Sequence, residues 1–194
     1  MINYKYALIE TEAPATEPLD LATVKTYLRI DQSSDDSLLE SLIVSARTIC
    51  ELMTGLNLIN RKYSLYIDRW GDGELYLPSS PIQEVITVNI YKDDDSVSVF
   101  DAKNYYVDNK NQKAPRIVLR NYSVTPIPTR VANGIEIQYV SGFGADATCV
   151  PELLKQAMLQ VIAHLYENRG DSINNAIKVS GARELFRVYR KTGV

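Results

Sequence analysis

The chain has 194 residues, 45% of them apolar and 23% charged, the proportions of a folded globular protein and not of a disordered or fibrous one. At about 150 residues per domain this is one domain or two small ones. No apolar run of about 18 residues is present, so no membrane span is expected. The start, Met1-Ile2-Asn3-Tyr4-Lys5, leads into polar and acidic residues unlike a secretory signal, which points to synthesis and retention in a cytoplasm.

The net charge of −3 hides an asymmetry: Lys178 to Val194 holds five basic side chains against one acid, leaving the rest of the chain at −7. Cys50 and Cys149 have no suitably spaced partner and read as small apolar core thiols, with neither a zinc site nor a disulfide framework. The single histidine, His164, argues against triads, metal clusters and most histidine-based acid–base chemistry. No cofactor is expected.

In chain order, residues 1–16 read as a flexible arm with weak structure of its own. Asp20 after Glu17-Pro18-Leu19 is a helix cap, and Leu21, Val24 and Leu28 give a short apolar face over about 20–30. After the polar break Asp31-Gln32-Ser33-Ser34-Asp35-Asp36, steps of three and four from Leu38 to Met53 predict a long helix over about 35–54, closed by Gly55. Between about 61 and 140 the period drops to two and turn residues recur. Tyr63, Leu65 and Ile67 alternate with polar neighbours, and Gly71-Asp72-Gly73 and Asp93-Asp94-Asp95 read as turns. About seven short strands are expected there, as a meander or small sandwich, and antiparallel because no helical crossover separates them. Ser141-Gly142-Phe143-Gly144 reads as a flexible exit. A third helix follows over about 151–168, then a polar loop and a short basic amphipathic helix over Ala182–Lys191. The expected fold class is α+β: a helical body of two N-terminal and one or two C-terminal helices, with an antiparallel β-module inserted. Its organisation is read as an arm (1–16), a connector domain (17–170) and a basic C-terminal segment (171–194).

Few residues promise chemistry. His164 has only Glu167 and Asn168 close by on its helix and reads as a packed or half-exposed histidine. Three consecutive aspartates lack the alternating spacing of a calcium loop; Asp93, Asp94 and Asp95 read as a solvated turn, or, if they line a pore, as a wall that repels DNA phosphates at short range. The thirteen tyrosines fit a half-buried sheet or a protein interface better than base stacking, because the body is acidic. The C-terminal segment is too short to stand alone as a helix. It docks either on its own body or on a partner through Arg183, Leu185, Phe186, Arg187, Tyr189 and Arg190.

At this point the chain resembles a known family. Glu17-Pro18-Leu19-Asp20-Leu21-Ala22-Thr23-Val24-Lys25-Thr26-Tyr27-Leu28-Arg29-Ile30 is similar to the opening of phage head–tail connector (adaptor) proteins. Asp35-Asp36-Ser37-Leu38-Leu39, Ala46-Arg47, Glu51-Leu52-Met53-Thr54-Gly55, Val140-Ser141-Gly142-Phe143-Gly144, Val150-Pro151 through Ala157, and His164-Leu165-Tyr166-Glu167-Asn168-Arg169 follow in the family's order. The resemblance covers about residues 17–169. It implies a non-enzymatic virion protein of a long-tailed phage, a prophage or a gene transfer agent, assembled in the host bacterial cytoplasm. Such proteins form rings, commonly of twelve copies, beneath the portal protein. They join the filled head to the tail or to a stopper, and DNA passes through without sequence-specific contact. The resemblance also implies that the C-terminal segment reaches into the portal, so deleting Ala182–Val194 is expected to spare the fold and abolish portal binding. A stopper or tail-completion protein is the neighbouring reading. From other classes, a carbohydrate- or peptide-binding β-module on a helical scaffold stays open, as does a carboxylate hydrolase, though no motif places the two acids about 5–9.5 Å apart that it requires.

Overall fold

Asp20 opens the first helix by accepting the Thr23 amide at 2.6 Å, which satisfies one of the backbone donors that every helix start leaves orphaned. In the computed structural model, which describes residues 6–71, 73–121 and 124–191, this helix is α1 (Leu21–Leu28), and it ends where Arg29 turns left-handed at φ 58°. The Thr23 amide also holds the Asp20 carboxyl below its ordinary range. Asp20→Ala is expected to cost the helical unit about 1 kcal/mol, read as a lower urea midpoint, with Asp20→Asn recovering most of it.

Helix α2 (Asp36–Thr54) buries Leu39, Ile43, Ala46, Ile49 and Cys50, the predicted stripe. It stops at Gly55, whose φ of +74° lets its amide return to the Glu51 carbonyl at 2.8 Å. Helix α3 (Glu152–Glu167) presents Leu154, Ala157, Met158, Val161 and Ile162. The expected polar loop after it holds a further helix, α4 (Ile173–Val179), capped by Ser172, whose hydroxyl accepts the Asn175 amide at 3.2 Å. Helix α5 (Ala182–Tyr189) closes the series. Residues from all five helices meet in or against one apolar cluster with Leu58, Ile59 and Val150.

The β-region forms a second unit. Strands β1 (Tyr6–Glu12), β2 (Arg61–Ile67), β4 (Ile82–Tyr91), β5 (Val97–Val99) and β8 (Ile135–Ser141) make a five-stranded sheet in the order β1-β2-β8-β4-β5. Strands β3 (Glu74–Tyr76), β6 (Tyr105–Asp108) and β7 (Arg116–Leu119) make a second sheet in the order β3-β7-β6. Every pairing is antiparallel, as the absence of crossovers required. The inner faces share one core that includes Tyr63, Leu65, Ile67, Leu75, Phe100, Tyr105, Ile117, Ile135, Ile137 and Tyr139. The α+β fold class is that expected.

Several expectations change. Much of the segment read as a flexible arm is strand β1, ordered by pairing along β2 from Tyr6↔Ile67 to Glu12↔Lys62; its side chains are mostly exposed, so its own pattern carried little signal. Contacts divide the chain into a β unit (described residues 6–13 and 60–142) and a helical unit (14–59 and 143–191), with α4 and α5 inside the latter instead of in a separate tail. The exit read as flexible is pinned: the Gly142 amide donates to Pro81 O at 2.9 Å and the Phe143 amide to Leu58 O at 3.2 Å. At Gly144 a Cβ would stand 2.3 Å from the Cys149 side chain, so only glycine fits. Cys50 is buried as expected, whereas Cys149 is exposed. Asp72 of the Gly71-Asp72-Gly73 turn lies outside the described residues, as do residues 1–5 and 192–194.

Candidate assembly surfaces

Helix α5 splits the candidate partner-binding residues into two groups. Phe186 is 1% exposed and belongs to the helical core, while Leu185 and Tyr189 pack against that core from its edge. Of the two dockings expected for this segment, the apolar side chains take the one on the chain's own body: Phe186 is lost to a partner, and Leu185 and Tyr189 are partly covered, since so short a helix is held by packing and not by itself. The Lys191 amide, just beyond, donates to Thr54 O at 2.6 Å and ties the end of α5 to the end of α2. Deleting residues from Ala182 onward therefore removes core, with Ala182 0% and Phe186 1% exposed, and the expectation that the fold would survive this is corrected. Arg183, Arg187 and Arg190 stay exposed. They rim a shallow pocket whose walls also include Met53, Glu184 and Phe186.

The three aspartates sit in the turn between β4 and β5. Asp95 adopts φ 61°, and its amide reaches Lys92 O at 3.0 Å. Asp93 accepts from the Thr129 hydroxyl at 3.2 Å and Asp94 from the Ser96 amide at 2.9 Å. All three are exposed, as expected of a solvated turn.

The most organised polar group was not foreseen. Glu136, 5% exposed, sits on the sheet face opposite the core. Its Oε1 accepts from the Ser64 hydroxyl (2.9 Å), the Tyr66 hydroxyl (3.0 Å) and the Gln138 amide (2.9 Å). Its Oε2 accepts from the Asn89 amide and the Tyr91 hydroxyl, both at 2.9 Å. Register explains the convergence: Tyr66 and Asn89 stand directly opposite Glu136 on the two neighbouring strands. Burial alone would raise this carboxyl, but the bonds from Asn89, Gln138, Tyr91 and Ser64 outweigh it and hold it at about 2. Desolvation, with the bond to Glu136, pushes Tyr91 up to about 12. A carboxylate so engaged stays ionised near neutrality, and through its five bonds Glu136 fastens three strands. The only trace in sequence was a lone acid between Ile135 and Ile137.

His164 does have a partner, supplied from beyond its helix: Nε2 lies 2.7 Å from Asp171 Oδ2, which also accepts from the Asn175 amide at 2.7 Å. The bonds from His164 and Asn175 hold the Asp171 carboxyl below its ordinary range. The group clasps α3 to the start of α4. Among the described residues no cluster of three or more His, Cys, Asp or Glu side chains is arranged to hold a metal ion, and no helix is long and apolar enough to cross a membrane.

The chain is thus a helical unit and a two-sheet unit whose polar clusters, Glu136 and its donors and His164 with Asp171, hold strands and helices together. The family model for head completion proteins matches residues 19–186, and the chain belongs to that family, a family of structural proteins of phage-type particles and not of enzymes. The sequence-level resemblance to head–tail connectors is thereby supported. A chain from the neck of an empty gene transfer agent (GTA) particle, computed with C6 symmetry, is similar at a TM-score of 0.81 and 25% identity, with 97% of each chain covered. A chain from the virion of a native GTA particle (TM-score 0.79, 24% identity, 96% of each chain) and one from the neck of a native GTA particle computed with C12 symmetry (0.72, 23%, 97% of each) share the fold. No curated protein matches.

Proposed function

We propose that this chain forms a closed ring at the junction between a DNA-filled head and its tail, seated on the portal protein and offering its other side to a stopper or tail-completion protein. The observation that carries this reading is likeness over 97% of the chain to a neck component at a TM-score of 0.81, together with the family match over residues 19–186. The C6 and C12 symmetries of the related neck structures support a cyclic assembly, with twelve copies the expected number. DNA passes through the ring without being read. The body's net charge of −7 before the C-terminal stretch suits passage without adhesion, since like charges repel within about a Debye length. In this ring the outward arginines of α5 bind a neighbouring polypeptide.

The test adds purified protein to DNA-filled heads that lack it. Electron microscopy is expected to show a ring of new density at a single vertex, and those heads gain competence to take tails. Heads that stay bare, or protein scattered over the whole shell, overturn the reading.

A further inference from the structure

Two charged surface features are only weakly paired among the described residues. The first is the end of the helical unit where α5 meets α2. Arg183, Arg187 and Arg190 rim the pocket beside Met53, and the adjacent Leu52 is 80% exposed. The one ion pair there among the described residues joins Arg187 to Glu184 at 3.1 Å with both side chains 69% exposed, an arrangement worth little in water. Arg183 and Arg190 have no ion pair with a described residue. The second feature is the β4–β5 hairpin, at one edge of the five-stranded sheet. Its tip carries Asp93, Asp94 and Asp95, and the only ion pair to them among the described residues is Arg130 to Asp95 at 3.7 Å. Its edge strand exposes Val97 at 52% and Val99 at 70%.

We infer that the β4–β5 hairpin of one copy docks on the α5–α2 end of the next copy, with its aspartates on the arginine rim and Val97 and Val99 against Leu52 and Met53. The inference rests on the ring reading and names the contact that closes the ring. Each patch has what the other lacks: carboxylates face guanidiniums, which take them in two-pronged hydrogen bonds, and apolar groups accompany both, Val97 and Val99 on the hairpin and half-buried Met53 in the arginine-rimmed pocket, with exposed Leu52 next to it in sequence. An apolar centre with a charged rim is the ordinary build of a protein interface. Because the two patches differ, the contact is heterologous, and heterologous contacts close rings where a self-matching patch closes dimers. The acids then belong to a subunit contact instead of a channel wall.

The test is a charge exchange. One variant carries Asp93→Arg, Asp94→Arg and Asp95→Arg; the other carries Arg183→Asp, Arg187→Asp and Arg190→Asp. All six positions are exposed, and circular dichroism checks that both variants fold. Added separately to heads that lack the protein, each is expected to lose ring density, because like charges meet at every contact. Added together they are expected to regain most of the wild-type rings, with the variants alternating, since each then meets its opposite. Rings formed by either variant alone overturn the contact. So does a mixture as inactive as its parts, which is the outcome if the arginines grip only the portal or if the two patches meet within one chain. Wild-type protein that binds the vertex without forming a ring overturns the ring reading instead, and this inference with it.

Discussion

Phe186→Ala is expected to destabilise the helical unit by about 3–5 kcal/mol, the range for emptying a buried aromatic site. The ring is 1% exposed and sits in the same cluster as residues of α2 and α3, so its loss leaves a void that rigid helices cannot close. At about 2–4 °C per kcal/mol for a chain of this size, the melting temperature should fall by roughly 6–20 °C. Phe186→Leu keeps most of the volume and should cost less than about 1.5 kcal/mol. Arg187→Ala, on the outer face of the same helix, should stay within about 0.5 kcal/mol. Urea titrations followed by helical circular dichroism measure all three. Equal stability of Phe186→Ala and the parent would show that α5 is not docked on its own body.

Glu136→Ala should cost the β unit about 3 kcal/mol or more, because five donors from three strands lose their common acceptor. The carboxyl also gives the fold an acid limb. Its pKa is about 2 in the folded chain against an ordinary 4.5; a depressed value means stability that is full above about pH 4.5 and is lost as pH falls toward 2. Denaturation midpoints from pH 6 to 2.5 should therefore decline in the parent. They should stay flatter in Glu136→Gln, which starts lower because its amide faces donors with a donor. Parallel declines in both would assign the acid limb to other carboxylates.

How much could be read from the sequence depended on whether a feature is a local pattern or a meeting of distant residues. The stripe Leu39, Ile43, Ala46, Ile49, Cys50 and the alternation Tyr63, Leu65, Ile67 state their buried faces outright. Helix α4 was missed because Ile173-Asn174-Asn175 reads as a loop; the helix rests on the Ser172 cap and on Ala176 and Ile177 reaching the core. Strand β1 was missed because an edge strand borrows its order from its neighbour. Apart from Gln138, the Glu136 cluster draws its donors from 45 to 72 positions away, and only register brings them together. At α5 the amphipathic pattern was plain, but an eight-residue helix looks the same whether its apolar side meets its own body or another chain. The structure resolves that choice, and it leaves the arginines as the accessible part of the predicted surface.

The chain leaves the β unit after residue 13, returns at residue 60, and leaves again after residue 142. The helical unit is thus built from two stretches with most of the β unit between them, and the β unit from two stretches with α1 and α2 between them, a high-contact-order arrangement that slows folding. On the ribosome α1 and α2 wait, their apolar sides uncovered, until α3 to α5 have been made. The β unit can finish first, and β1 must be held ready for β2 meanwhile. A nascent chain interrupted before Phe186 is therefore expected to expose the apolar sides of its helices instead of yielding a weaker version of the protein.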